Sequence, residues 1–115
     1  MTMNRIYEEI DKQITECGWV NQRSVVSAEY TKSVWKKKGD VGEWQLLMEH
    51  DSKCKKEEVL CVMELKIGKK FGAKLYTPLK VLDGVGVSPI LNTLRNGIEK
   101  LIEKETKGGY ICQNL

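Results

Sequence analysis

The stretch VMELKIGKKFGAK, residues 62–74, concentrates the residue types that can do chemistry in this chain. Glu64 and Lys66 stand two apart, so on a strand they share a face. There a carboxylate can hold a divalent cation and an ammonium can stabilise charge developing on a phosphate. Directly after them, Gly68-Lys69-Lys70-Phe71-Gly72 offers a different chemistry. Its glycines let backbone N–H groups approach an anion, its lysines attract phosphate, and the chain's one phenylalanine presents a stacking surface for a base. Such stacking is worth ~1–3 kcal/mol per base. The plainer alternative for the same residues is a hairpin in which Phe71 packs into the core.

A second set lies near the C-terminus. Asn92, Arg95, Asn96 and Glu99 recur at spacings of three and four, which places them along one side of a helix. Arg95 can grip a phosphate through two N–H groups or lie flat on a base, and Asn92 or Asn96 can read a base edge or a ribose hydroxyl. The preceding DGVGVSPILN segment puts backbone donors at a helix N-terminus, which favours an anion. Taken singly, each of these residues also suits an ordinary polar helix face.

These residues need elements to position them. Ile6, Ile10, Ile14 and Cys17 fall at helical spacing and Gly18 is placed to end the run. Residues 19–30 suit strand geometry, and Gly39-Asp40 with Gly42 reads as a turn. Trp44, Leu46 and Met48 then alternate with Gln45, Leu47 and Glu49. In 59–67, Val59, Cys61, Met63, Leu65 and Ile67 share one face while Leu60, Val62, Glu64 and Lys66 share the other, the pattern of a central strand. Residues 74–77 form a short strand halted by Pro78, and LDGVGV is too glycine-rich for a regular element.

Ser88 as cap and Pro89 at the first helical position start a helix whose buried stripe is Ile90, Leu91, Leu94, Ile98, Leu101 and Ile102. Gly108-Gly109 stops it, and YICQNL is expected to add an edge strand. The order predicts an α+β fold in a single domain spanning 1–115: a small antiparallel sheet flanked by an N-terminal and a C-terminal helix. Two helices can cover one face of such a sheet. The other face, carrying Leu60 and Val62, implies a partner chain and hence a homo-oligomer.

Composition narrows the function classes. Apolar residues make up 41% and charged residues 30% of the 115, the balance of a globular chain. No apolar run approaches the ~18 residues of a membrane span, and MTMNRIYEEIDK lacks the apolar centre of a signal peptide, so a cytoplasmic, non-membrane protein is expected. A net charge of +3 is too small to predict stable duplex DNA binding. The lysines are nevertheless clustered, in KSVWKKK and around Lys66, Lys69, Lys70 and Lys74, which suits a small anionic ligand. Cys17, Cys54, Cys61 and Cys112 include no C-x-x-C pair and have one histidine, His50, to join them. Neither a metal site nor a cofactor is expected, and the thiols read as reduced and mostly buried. His50, expected at a strand end or the surface, offers no hydrolytic triad, so no catalytic residue is assigned.

Two resemblances extend this. VMELKI resembles the catalytic strand of PD-(D/E)xK magnesium-dependent nucleases, with Glu64 and Lys66 in the motif positions. Asp51 or Asp40 would be the other carboxylate, and Glu8 would complete the set. The chain departs from that pattern in setting Asp51 within a polar turn and in following the lysine with a short loop and Pro78. The VSPILNTLRNGIEK helix, the single Phe71, the small size and the element order resemble the phage anti-Thoeris sponge proteins. That resemblance implies a non-enzymatic, multimeric protein with nucleotide pockets at subunit interfaces, acting in the cytoplasm of an infected host cell. Its function would be anti-defence: to bind and sequester a cyclic ADP-ribose-type nucleotide signal without cleaving it.

The ligand-binding residues assigned on this reading are Phe71 for stacking, Lys69, Lys70 and Arg95 for phosphates, and Asn92 with Asn96 for ribose or base. A third possibility is a small inhibitor of a protein partner, with Trp19, Trp35 and Trp44 as interface anchors.

Overall fold

The structure, a computed structural model, describes residues 3–27, 29–53 and 57–114, with side chains from residue 5 to residue 105 within those ranges. Helix α1 (Met3–Glu16) leads into five strands, β1 (Val20–Val26), β2 (Tyr30–Lys38), β3 (Glu43–Asp51), β4 (Glu58–Ile67) and β5 (Lys69–Pro78). Helices α2 (Leu79–Val85) and α3 (Ser88–Asn114) complete the chain. The strands form one antiparallel sheet in sequence order, β1-β2-β3-β4-β5. This is the expected α+β fold, with a larger sheet than 74–77 alone suggested.

Alternation decides which face is buried. Trp44, Leu46 and Met48 of β3 and Val59, Cys61, Met63 and Leu65 of β4 point to the helical side. There they meet Ile6, Ile10 and Ile14 of α1 and Ile90, Leu91, Leu94 and Ile98 of α3 in one core. Trp19, Trp35 and Trp44 all belong to this core, with Trp35 fully buried, so they hold the fold together and are not presented to a partner. His50 likewise sits on the buried side of β3, because its position continues the alternation of Trp44, Leu46 and Met48.

Helix α1 is fastened to β1 and β2 by a polar network. Trp35 Nε1 donates to Asp11 Oδ1 at 2.8 Å, Asn21 Nδ2 donates to the same oxygen at 3.3 Å, and Tyr7 shares a 2.6 Å hydrogen bond with Ser24. The Tyr7 and Trp35 rings stack with centroids 6.1 Å apart. Helix α3 packs on β5 and β4. Among the described residues no helix is long and apolar enough to cross a membrane.

Several local expectations change. The LDGVGV segment is mostly helical: α2 runs to Val85, and Gly86, at φ 85°, terminates it with its N–H donating to Leu82 O. The strand predicted over 74–77 begins at Lys69, because Gly68, at φ 83°, turns the chain within one residue so that Ile67 and Lys69 pair directly. Val87 O accepts the first α3 hydrogen bond from Leu91 N at 3.0 Å, so Val87 takes the cap position expected of Ser88. Helix α3 runs through Gly108-Gly109 to Asn114, replacing the expected edge strand over YICQNL. Cys17 and Leu101 are exposed, not buried, and Cys54 and Cys112 lie outside the described side chains.

Burial pushes the Cys61 thiol up from an ordinary 9.0 to about 11, against a smaller opposing effect of its hydrogen bond to Thr77. The folded state thus holds this proton more tightly than the unfolded chain does. The stability it contributes is whole below pH 9.0 and is lost as pH rises toward about 11. Tyr30 acts in the same direction, raised chiefly by its hydrogen bond to Glu49. Unfolding free energies across this alkaline window should therefore fall more steeply for the wild type than for Cys61→Ala, by roughly 3 kcal/mol in total. Parallel slopes in the two proteins would contradict the assignment.

Candidate ligand-binding cleft

The GKKFG segment does not form a phosphate loop. It is the start of β5, and strand alternation sends its side chains to opposite faces of the sheet. Phe71 turns to the helical side, half-buried against the core, opposite Leu65. Lys69 donates to Glu105 of α3 at 2.5 Å, and Lys70 pairs with Glu64 at 2.7 Å on the open face. The pleat thus parts Lys70 from Lys69 and Phe71, Phe71 is taken up by the core, and both lysines already have carboxylate partners.

The nuclease set is scattered as well. Glu64 and Lys66 do share the open face, and Glu64 also accepts a hydrogen bond from Gln45 at 3.3 Å. Asp51 lies six residues along β3 from Gln45, which sits opposite Glu64; that is about 20 Å at ~3.3 Å per residue. Glu8 is on α1, across the sheet, and Asp40 is in the β2–β3 turn. Among the described residues no group of three or more His, Cys, Asp or Glu is placed to hold a metal ion.

The Asn92 and Arg95 side of α3, by contrast, opens onto a cleft of about 780 Å³. Its walls are α3 on one side and, on the other, the end of β2, the β2–β3 turn and the residues just after α1. Trp19, Trp44, Leu65 and Leu91 supply apolar lining; Lys37, Lys38, Asp40, Asn92, Arg95 and Glu99 supply charge and hydrogen-bonding groups. This size lies within the ordinary range for small-molecule sites, about 300–1,000 Å³, and the mixture of apolar walls with a few polar groups is what such sites use.

At its centre the Arg95 guanidinium lies over the Trp44 ring, 5.3 Å from the centroid. Trp44 is 8% exposed, so core packing fixes the ring, and the ring in turn positions the cation. This contact leaves guanidinium N–H groups available for an anion, since a cation over a ring face does not consume its donors. Across the cleft, Lys37 Nζ donates to Cys17 O at 2.8 Å, tying the β2 end to the end of α1. Three cations therefore face two carboxylates, those of Asp40 and Glu99.

Of the six residues expected to bind ligand, the structure brings Asn92 and Arg95 into this cleft. Asn96 is exposed on α3 outside the lining, and Lys69, Lys70 and Phe71 lie elsewhere. The partners that sequence reasoning passed over are Lys37, Lys38 and Trp44. Their signal was the KKKGD run entering a turn with an aromatic two residues beyond its last glycine. Comparison with protein-family models, curated proteins and solved structures gives no match for this chain.

The turn that forms the cleft's far wall depends on Gly42. A Cβ there would stand 2.2 Å from Lys66 O and 2.3 Å from Ile67 Cγ2, and Gly39 N–H closes the turn onto Gly42 O at 2.8 Å. The Lys66 carbonyl is part of the β3–β4 ladder and cannot move freely. Gly42→Ala should cost about 1–3 kcal/mol in urea denaturation, the usual range for overpacking. An unchanged midpoint would show that the turn can shift without consequence.

Proposed function

We propose that this protein binds and sequesters a small anionic nucleotide of the cyclic ADP-ribose type in the cleft between α3 and the β2–β3 turn. It holds the ligand without cleaving it, as the sponge proteins that its sequence resembles do, and acts as a phage-encoded anti-defence protein. The observation that carries this reading is the Arg95 guanidinium held over Trp44 inside a cleft of about 780 Å³.

The ligand chemistry matches the lining. A cyclic ADP-ribose carries two phosphate charges, a purine and two riboses. Arg95 can take phosphate oxygens in a bidentate grip while Lys37 and Lys38 add attraction from the opposite wall. The purine can stack on the guanidinium plane from the side away from Trp44, extending the existing ring–cation stack. Asn92, one turn before Arg95, can donate to or accept from ribose hydroxyls or a base edge. On this reading Lys38 and Asp40 set the cleft's polar rim, and a fixed Arg–Trp pair lowers the entropy lost when ligand binds.

Isothermal titration against a panel of cyclic nucleotides and cyclic ADP-ribose isomers, with and without magnesium and followed by ligand recovery, tests this. Tight binding with intact ligand recovered is expected from the wild type. Arg95→Ala should weaken it about 10- to 100-fold, as loss of a charge-assisted hydrogen-bond donor does. Phe71→Ala should leave affinity unchanged and instead lower stability by about 1–3 kcal/mol, since its ring packs on the core. Recovery of a cleaved ligand, or an Arg95→Ala protein that binds like the wild type, would defeat the proposal.

A further inference from the structure

The chain's three tryptophans are all buried, and they differ in what their indole N–H groups meet. Trp35 donates to Asp11. Trp19 and Trp44, 6% and 8% exposed, both line the cleft, and among the described residues neither indole nitrogen has a hydrogen-bond partner. Neither nitrogen is sealed from solvent. A buried indole N–H ordinarily finds an acceptor within the fold. Two that do not, on the wall of one cleft, are donors left open to whatever enters it.

The strand register sets these donors in a row. Trp44 stands directly opposite Lys37 on one side and Leu65 on the other. Trp19 directly precedes Val20, which pairs with Lys36, so it flanks Lys37 from the far side. At about 4.8 Å per strand the two tryptophans are rooted about 10 Å apart, with Lys37 between them. Lys37 spends one N–H on Cys17 O and keeps the rest of its ammonium donors. The turn leaves the Trp44 edge uncovered. A Cβ on Gly39 would stand 2.8 Å from Trp44 Nε1, and Gly39 is not held at positive φ, so a side chain there would disturb the indole rather than the backbone.

Indole N–H and ammonium groups donate and cannot accept. This row, the floor of the cleft, is therefore donor-only, while the two carboxylates of the lining, Asp40 and Glu99, stand on the β2–β3 turn and on α3. A ribose or an amino-bearing base edge presents donors as well as acceptors, and its donors would be stranded against such a floor. Phosphate oxygens only accept.

We propose that the cleft takes a diphosphate-bearing ribonucleotide phosphates first. The phosphate oxygens accept from the Trp19 and Trp44 indole N–H groups and from Lys37, and the ribose hydroxyls turn outward to Asp40 and Glu99. This rests on the nucleotide reading of the cleft and adds to it the orientation of the ligand and the part that selects it. Arg95, over the Trp44 ring, reaches the same phosphates from above. A ligand without phosphates leaves both indole donors unpaired, and a site built to hydrogen-bond one group discriminates strongly against an analogue that lacks it.

Nitrogen–proton spectra of the labelled full chain, titrated separately with inorganic pyrophosphate, adenosine and cyclic ADP-ribose, test this. Pyrophosphate alone should move the Trp19 and Trp44 indole protons downfield and leave that of Trp35, which stays on Asp11. Adenosine should move none of them. Trp19→Phe and Trp44→Phe keep a ring in the core and remove only the donor. Each should weaken pyrophosphate binding about 10-fold, the worth of a hydrogen bond to a charged group. The wild-type spectra carry the test even where a variant fails to fold. No response to pyrophosphate, a response with either indole unmoved, or adenosine moving both indoles would overturn the inference. Cyclic ADP-ribose bound with those indoles unmoved would overturn it too, yet leave the nucleotide reading in place. Pyrophosphate engaging both indoles of a protein that takes no cyclic ADP-ribose would support the donor floor and defeat that reading.

Discussion

Everything on the helical side of this molecule follows from where α1 is held. The carboxylate of Asp11 receives the indole N–H of Trp35 and the amide of Asn21, and the Tyr7 ring stacks on the same indole. A buried indole N–H needs an acceptor, and the acceptor comes from the middle of α1. That requirement fixes the helix over the β1–β2 side of the sheet. Helix α3, with Gly97 approaching Ala73 closely, sits over β5 and β4. Between them, at the end of β3 where α1 has already stopped, Trp44 and Leu65 are left as lining of an open space. The cleft is a consequence of two helices anchored at opposite sides of a five-stranded sheet.

Much of the frame was legible in the sequence because its periodicities are clean. The Ile6, Ile10, Ile14 stripe, the Trp44, Leu46, Met48 alternation and the Val59 to Leu65 alternation each buried the face they predicted. The elements that were misread are those where local composition and tertiary context disagree. LDGVGV carries two glycines yet reaches Val85 as helix, because Leu82 is buried in the core and repays the propensity cost. GKKFG looked like a loop because glycines bracket it, but Gly68 needs one residue of positive φ to reverse the chain, after which Lys69 and Phe71 are already strand. His50 stands at the end of β3, as expected, but on the buried side, because it continues the alternation of Trp44, Leu46 and Met48.

The site was half legible for the same reason. Asn92 and Arg95 could be found because helical spacing is local, and two residues three apart on a helix share a side. Their partners could not, because Lys37 and Lys38 of β2 and Trp44 of β3 meet them only across the cleft that forms once α3 is packed on β4 and β5. Conversely, adjacency along the chain misled: Lys69, Lys70 and Phe71 are neighbours in sequence, and the pleat of a strand sends neighbours apart. The two faces of the sheet consequently carry two separate features. A cation-and-aromatic cleft lies on the helical side, and a row of Val34, Leu47, Val62 and Lys74 lies on the other.

The central claim is that Arg95 over Trp44, and not GKKFG, forms the recognition site. Two-dimensional nitrogen–proton spectra of the labelled protein, recorded during titration with a cyclic ADP-ribose, test it most directly, because backbone amides and the three indole N–H groups report position by position. The account predicts that the perturbed signals are the Trp19 and Trp44 indoles, the Arg95 side chain and the amides of Asn92 and residues 37–40. Perturbation concentrated at residues 68–72, with the Trp44 indole and Arg95 unmoved, would contradict it.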